Sequence, residues 1–151
     1  YMLKKIKFSY SWVLVDELMV GSAPLEMNNL IELEKEGIKS ILSLCSAKEV
    51  VIPSEINNLF LCENFILPDH TYDRETKSDE IIQILDILEE LINHGPTYVH
   101  CFAGVERSPL ICMAWLISKH KLSPQRALDY LMEVHKGSNP LPSQYKLLSH
   151  I

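Results

Sequence analysis

The chain has 151 residues, 47% hydrophobic and 23% charged, with a formal net charge of −6. This fits a single soluble domain over 1–151 with a self-sufficient core. It excludes a nucleic-acid binder and a membrane span: the only basic cluster is "KKIK" at 4–7, and no segment approaches ~18 consecutive apolar residues.

In chain order, "WVLV" (12–15) and "LMVG" (18–21) read as two short strands around Asp16 and Glu17. "EMNNLIELEKEG" (26–37) reads as a helix with Leu30, Ile31 and Leu33 on its apolar side and Gly37 as its stop. "IKSILSLC" (38–45) and "NLFLCENFIL" (58–67) follow as apolar strands, and a polar stretch fills 68–80. "SDEIIQILDILEELINHG" (78–95) is the clearest helix, with Ser78 as cap, acids in its first turn and a wide apolar face from Ile81 to Ile92, including Ile82 and Ile87. "TYVHC" (97–101) is a buried strand, and "SPLICMAWLISKH" (108–120) is a helix with Pro109 in its first turn. "SPQRALDYLMEVHKG" (123–137) and "PSQYKLLSHI" (142–151) close the chain as helices. Strand–helix alternation of this kind implies an α/β fold with a central, mainly parallel sheet of four to five strands flanked by helices.

On such sheets ligands sit where a strand ends and a helix begins, and "VHCFAGVERSP" (99–109) lies at that point. The strand delivers Cys101, residues 102–107 make a loop, and Ser108-Pro109 open a helix. Backbone N–H groups of such a loop, backed by the positive end of the helix dipole, form a cradle for a phosphate. Gly104 allows the curl, and Arg107 supplies a permanently charged fork for two phosphate oxygens. The same field favours a thiolate, so Cys101 is the expected nucleophile, with a depressed pKa. His100 precedes it on the strand and so points to the opposite face, a support for the loop and not a proton acceptor. Ser108 is placed to donate its hydroxyl to the sulfur.

The stretch "HCFAGVERS" fits HCxxGxxR[ST], and the chain resembles the cysteine-dependent protein tyrosine phosphatases, most closely their dual-specificity branch. The resemblance extends to "LMVGSAPLEMNNLIELEKEGIKSILSLC" and "NPLPSQYKLL", and so covers roughly 15–150. It implies hydrolysis of phosphotyrosine and of phosphoserine or phosphothreonine in protein substrates through a cysteinyl-phosphate, in a shallow cleft and without a cofactor. The loop residues Phe102, Ala103, Gly104, Val105, Glu106 and Arg107 then bind the phosphate. The family uses a loop aspartate as general acid and base. Asp69, directly after Pro68, matches that position, and Asp73 is its rival. His70 and Tyr72 stand beside them as pocket residues or exposed loop.

Further expectations concern the remaining polar and sulfur groups. Some relatives keep a second cysteine where Cys45 stands, so Cys45 is either a reversible disulfide partner of Cys101 or a buried packing residue. Cys62, Cys112, Trp12 and Trp115 read as core. No metal site is expected, since His100 and Cys101 point apart and no ligand spacing occurs elsewhere. The four cysteines form no CxxC pair, and with no signal-peptide pattern at the N-terminus the expected setting is cytoplasmic, with the chain a monomer. Glu106 is unusual for its place in the motif. Its charge opposes a multiply phosphorylated substrate, pairs with a basic group flanking the target, or reaches back to Arg107. Two other readings compete with the phosphatase: a phosphoprotein-binding module of the same fold, and a sulfurtransferase that also uses a loop cysteine.

Overall fold

The computed structural model describes residues 7–151, so of the basic cluster at 4–7 only Lys7 falls within it. Five strands form one sheet: β1 (Tyr10–Leu14), β2 (Leu18–Gly21), β3 (Ser40–Ser43), β4 (Leu61–Asn64) and β5 (Thr97–His100), in the order β1-β2-β5-β3-β4. Only the β1–β2 pair is antiparallel, joined by a tight turn in which Asp16 takes φ 62°. β5 lies at the centre, parallel to β2 on one side and to β3 on the other. The fold is the expected one: α/β, mainly parallel, with helices on both faces.

On one face the helices α3 (Ser78–His94), α4 (Arg107–His120) and α5 (Pro124–Val134) cover Val20, Leu42 and Val99. α3 supplies Ile81, Ile84, Leu85, Leu88 and Leu91, which recur at the 3.6-residue period and are buried. On the other face α1 (Met27–Lys35) and a one-turn α2 (Ile56–Leu59) pack Leu30, Leu33 and Ile56 against Met19, Ile41 and Tyr98. α6 (Pro142–Leu147) and a 3-10 turn (Leu148–His150) close the chain. Among the described residues no helix is long and apolar enough to cross a membrane.

Several local expectations need correction. The strand expected over 58–67 is split: its first residues belong to α2, and only Leu61–Asn64 pair with β3. Its apolar residues do not alternate, because the segment turns from helix to edge strand at Phe60. Ser78 is the first helical residue of α3 and Lys77 the cap; the Glu80 carboxylate accepts the Lys77 N–H at 3.0 Å, which a serine side chain need not do. Ile31 and Ile82 face solvent, each one position off the buried stripe of its helix. Trp115 and Cys112 are buried as expected, whereas Trp12 and Cys62 are only half-buried against the second cluster.

Leu88 is fully buried beneath the sheet. Leu88→Ala should lower stability by about 2–5 kcal/mol, read as a lower urea midpoint with an unchanged slope.

Candidate functional site

β5 ends at His100 and places Cys101, 2% exposed, at the carboxyl edge of the sheet's central strand. From there the chain curls through Gly104, whose φ is +75°. A Cβ on Gly104 would lie 2.7 Å from the Gly21 carbonyl carbon and 2.9 Å from the Ser22 nitrogen, so glycine is required both by conformation and by the close approach to β2.

Four of the loop's carbonyl groups are held by donors from outside it. His100 Nδ1 donates to the Cys101 carbonyl (3.1 Å), the Ala23 N–H to Phe102 (3.0 Å), His135 Nε2 to Gly104 (2.7 Å) and the Asn139 N–H to Val105 (2.7 Å). Among the described residues none of the N–H groups from Phe102 to Arg107 donates to a protein acceptor. A loop with its carbonyls tied outward and its N–H groups free has the polarity an anion cradle needs. α4 begins at Arg107, so its first-turn N–H groups and dipole add to that field.

Cys101 Sγ lies 3.2 Å from Ser108 Oγ. Arg107 is 3% exposed, and both of its Nη atoms are held. Its Nη1 donates to the carbonyls of Leu44 (3.3 Å) and Leu67 (3.1 Å) and to Glu49 Oε2 (3.2 Å), and its Nη2 to Glu49 Oε1 (2.8 Å). Nε–H takes no part in these bonds. Burial works against the guanidinium charge, but the Glu49 hydrogen bonds and the surrounding negative charge outweigh it and raise the Arg107 pKa. Burial likewise pushes the Glu49 carboxyl up, while the bonds and charge of Arg107 and the Ser46 N–H bring it below its ordinary value.

A cleft of about 280 Å³ opens over Cys101 and brings together Asp69, His70, Phe102, Ala103, Val105, Glu106 and Arg107, with Asn139 and Leu141 on its rim. Asp69 is part of this wall; Asp73 is exposed and is not. Partial burial raises the Asp69 carboxyl, but the Thr71 hydroxyl (2.6 Å) and N–H (2.9 Å), with the charges of Arg107 and His70, bring its pKa below the usual carboxylate value. Tyr72 lines an adjoining recess of about 150 Å³. Glu106 does not reach back to Arg107: it accepts from Gln144 Nε2 (2.8 Å) and pairs with His70 Nδ1 (3.2 Å).

His100 is fully buried, stacks on Tyr98 and points away from the cleft, as its strand position requires. Because a carbonyl can only accept, Nδ1 carries the proton. Burial pushes the imidazole pKa down to about 4, so the ring is neutral. Its Nε2 has no partner among the described residues. All four cysteines are free thiols. Cys45 is buried, and that burial raises its pKa to about 12 although the Arg107 charge opposes it; it lines a separate cavity of about 610 Å³ together with His100 and Ser46.

Glu49, His135, Asn139 and Gln144 are absent from the sequence reading. A buried arginine demands a carboxylate, but Glu49, Glu55 and Glu63 all lie between β3 and the polar stretch, and the sequence offers no way to choose.

The dual specificity phosphatase catalytic domain matches residues 18–150, and the chain belongs to that family. Phosphatidylglycerophosphate phosphatase PTPMT2 of Arabidopsis thaliana is 24% identical over 139 residues, which are 91% of this chain and 60% of that protein. Dual specificity protein phosphatase PHS1 of the same plant is 30% identical over 129 residues, 83% of this chain and 13% of that protein. The chain thus spans only part of these relatives. Among solved structures, that of PTPMT1 in complex with PI(5)P has a TM-score of 0.81 at 20% identity, covering 93% of this chain and 92% of that one.

Removing Glu49 leaves the buried Arg107 charge without its carboxylate. Glu49→Ala should cost on the order of 3 kcal/mol in urea unfolding at neutral pH. The folded-state pKa of Glu49 lies below its unfolded value, so its contribution is fully present above the ordinary carboxylate range and is lost as pH falls through the folded pKa. The variant's stability should therefore fall less on acidification than that of the wild type.

Proposed function

We propose that the chain hydrolyses phosphate monoesters through a cysteinyl-phosphate, acting on phosphotyrosine and on phosphoserine or phosphothreonine of protein substrates in the cytoplasm, as a monomer. The observation that carries this reading is the loop 101–107. Its carbonyls are tied outward and its N–H groups left free, directly over a sulfur that a serine hydroxyl approaches to 3.2 Å.

In the first step the Cys101 thiolate attacks phosphorus, an S–P bond forms, and the ester P–O bond breaks while Asp69 gives its proton to the departing oxygen. The loop N–H groups, the α4 dipole and Arg107 hold the three equatorial oxygens. In the second step the Asp69 carboxylate takes a proton from water, the water oxygen attacks phosphorus, and the S–P bond breaks. Ser108 donates to the leaving thiolate. Asp69 starts each cycle as the acid, and its pKa in the free protein is lowered, so turnover favours acidic pH.

Support for a protein substrate comes from a cleft of about 280 Å³ that carries no lysine among Phe102, Ala103, Val105 and Glu106, with the Glu106 carboxylate on its wall. A second reading, a lipid headgroup monoester, is favoured by one observation: two of the relatives are phosphatidylglycerophosphate phosphatases. A panel of phosphotyrosine and phosphothreonine peptides against phosphatidylglycerophosphate in mixed micelles separates them. Higher kcat/KM on peptides supports the first reading, and higher kcat/KM on the lipid replaces it with the second.

Turnover of p-nitrophenyl phosphate by the wild type, abolished in Cys101→Ser, tests the chemistry itself; a wild type that binds phosphopeptide without turnover would make the chain a binding module. Asp69→Asn should lower kcat by about 10²–10⁴ and remove the alkaline limb of the pH profile, whereas Asp73→Asn should lower kcat far less. The reverse order would move the acid to Asp73.

A further inference from the structure

We propose that Glu106 is a positioning residue that latches the segment carrying Asp69 over Cys101 by pairing with His70. The inference rests on the phosphatase reading above and assigns a task to a carboxylate that reading leaves idle. A negative charge on the wall of an anion site weakens anion binding, so binding alone gives no reason for it.

The geometry supplies the reason. Gln144, 4% exposed on α6, has its Oε1 occupied by the Leu141 N–H (2.8 Å), which fixes the amide so that Nε2 points at Glu106 Oε1 (2.8 Å). One carboxylate oxygen is thereby held from α6, and the other, Oε2, meets His70 Nδ1 at 3.2 Å. His70 directly follows Asp69. Among the described residues this is the sole hydrogen bond from residues 68–73 to another part of the chain; the bonds of Thr71 and Tyr72 are made to Asp69 itself. The loop that contacts the phosphate and the loop that supplies the proton are therefore tied at one point. The tie strengthens when His70 is protonated, since the pair is then ionic.

A latch of this kind acts on proton delivery, and proton delivery matters most for esters with poor leaving groups. Phenyl phosphate needs the acid; 2,4-dinitrophenyl phosphate, whose leaving group is stable as an anion, barely does. The reading is the ratio of kcat/KM on the first to kcat/KM on the second, because kcat/KM covers only the S–P-forming step whereas hydrolysis of the intermediate is common to both esters. General acids contribute about 10²–10⁴, so misaligning one should lower that ratio about tenfold or more in Glu106→Ala and in His70→Ala. The double variant should be no worse than the worse single, because both remove one contact. Glu106→Gln keeps an acceptor for Gln144 and a hydrogen-bonding group toward His70, and should retain more of the ratio than Glu106→Ala. His70 has 66% of its side chain exposed, so its removal tests the latch without disturbing the fold of loop 101–107.

Unchanged ratios in both single variants of an active protein would overturn the latch and leave the phosphatase reading standing. So would equal losses on the two esters, which signal damage to the loop, or additive effects in the double variant. No turnover of either ester by the wild type would overturn the phosphatase reading itself, and the latch with it.

Discussion

The buried guanidinium of Arg107 is the constraint around which the carboxyl edge of the sheet is arranged. A permanent charge taken out of water must be surrounded by acceptors, and this one finds them in three places far apart in sequence: the Leu44 carbonyl just past β3, the Leu67 carbonyl at the root of the polar segment, and Glu49 between them. The exits of two neighbouring strands are thereby fixed against the start of α4. Leu67 is two residues before Asp69, so the side chain at the end of the loop 101–107 also sets where the proposed acid begins its approach. Glu49 meets the guanidinium through both carboxylate oxygens, and the bonds Arg107 makes use only its two Nη atoms.

The loop itself is shaped from outside. Four carbonyls are held by donors from β5, the β2–α1 connection, the end of α5 and the segment before α6. His135 is the most demanding of these donors. Its Nε2 donates to the Gly104 carbonyl and its Nδ1 lies 2.7 Å from Ser11 Oγ, so one imidazole links β1 to the loop. Holding the carbonyls away means that the N–H groups need no rearrangement when a tetrahedral anion enters. Preorganised dipoles of this kind stabilise charge without a reorganisation cost at the moment of reaction. The close contact of Gly104 with Gly21 and Ser22 shows the limit of the design: the loop packs so tightly on the end of β2 that position 104 has no room for a side chain.

Much of this was legible in the sequence, and the parts that were not share a cause. The order of the main elements, the burial of the strand before Cys101, the turning of His100 away from the loop's pocket and the nearness of Ser108 to the sulfur all follow from local patterns: period 3.6, strand alternation, and a strand–loop–helix junction. The misread segment was 58–67, where a continuous apolar run carries no period to distinguish a helical turn from an edge strand. The partners of the loop were invisible for a different reason. Glu49, His135, Asn139 and Gln144 act through contacts 31 to 58 residues apart in the chain, and nothing in their immediate neighbours marks them. Glu106 shows both sides of this: its oddity in the motif was plain, but its partners His70 and Gln144 appear only once the cleft is built.

The two glutamates near the site illustrate how a carboxylate can sit beside an anion cradle without emptying it. Glu49 is matched by Arg107, and its charge is spent within a bidentate pair. Glu106 is turned to a buried amide and an imidazole, both outside the cradle, so its oxygens are already occupied when a phosphate enters. The field that remains for an anion is then made of short-range parts: the free N–H groups of the loop, the Arg107 Nε–H and the α4 dipole, which falls off within a turn of helix. A chain of net charge −6 does not draw a phosphate dianion from a distance. In the proposed reaction, capture depends on contact with the loop, and discrimination among phosphate esters falls to what the cleft wall from Asp69 to Leu141 can accommodate.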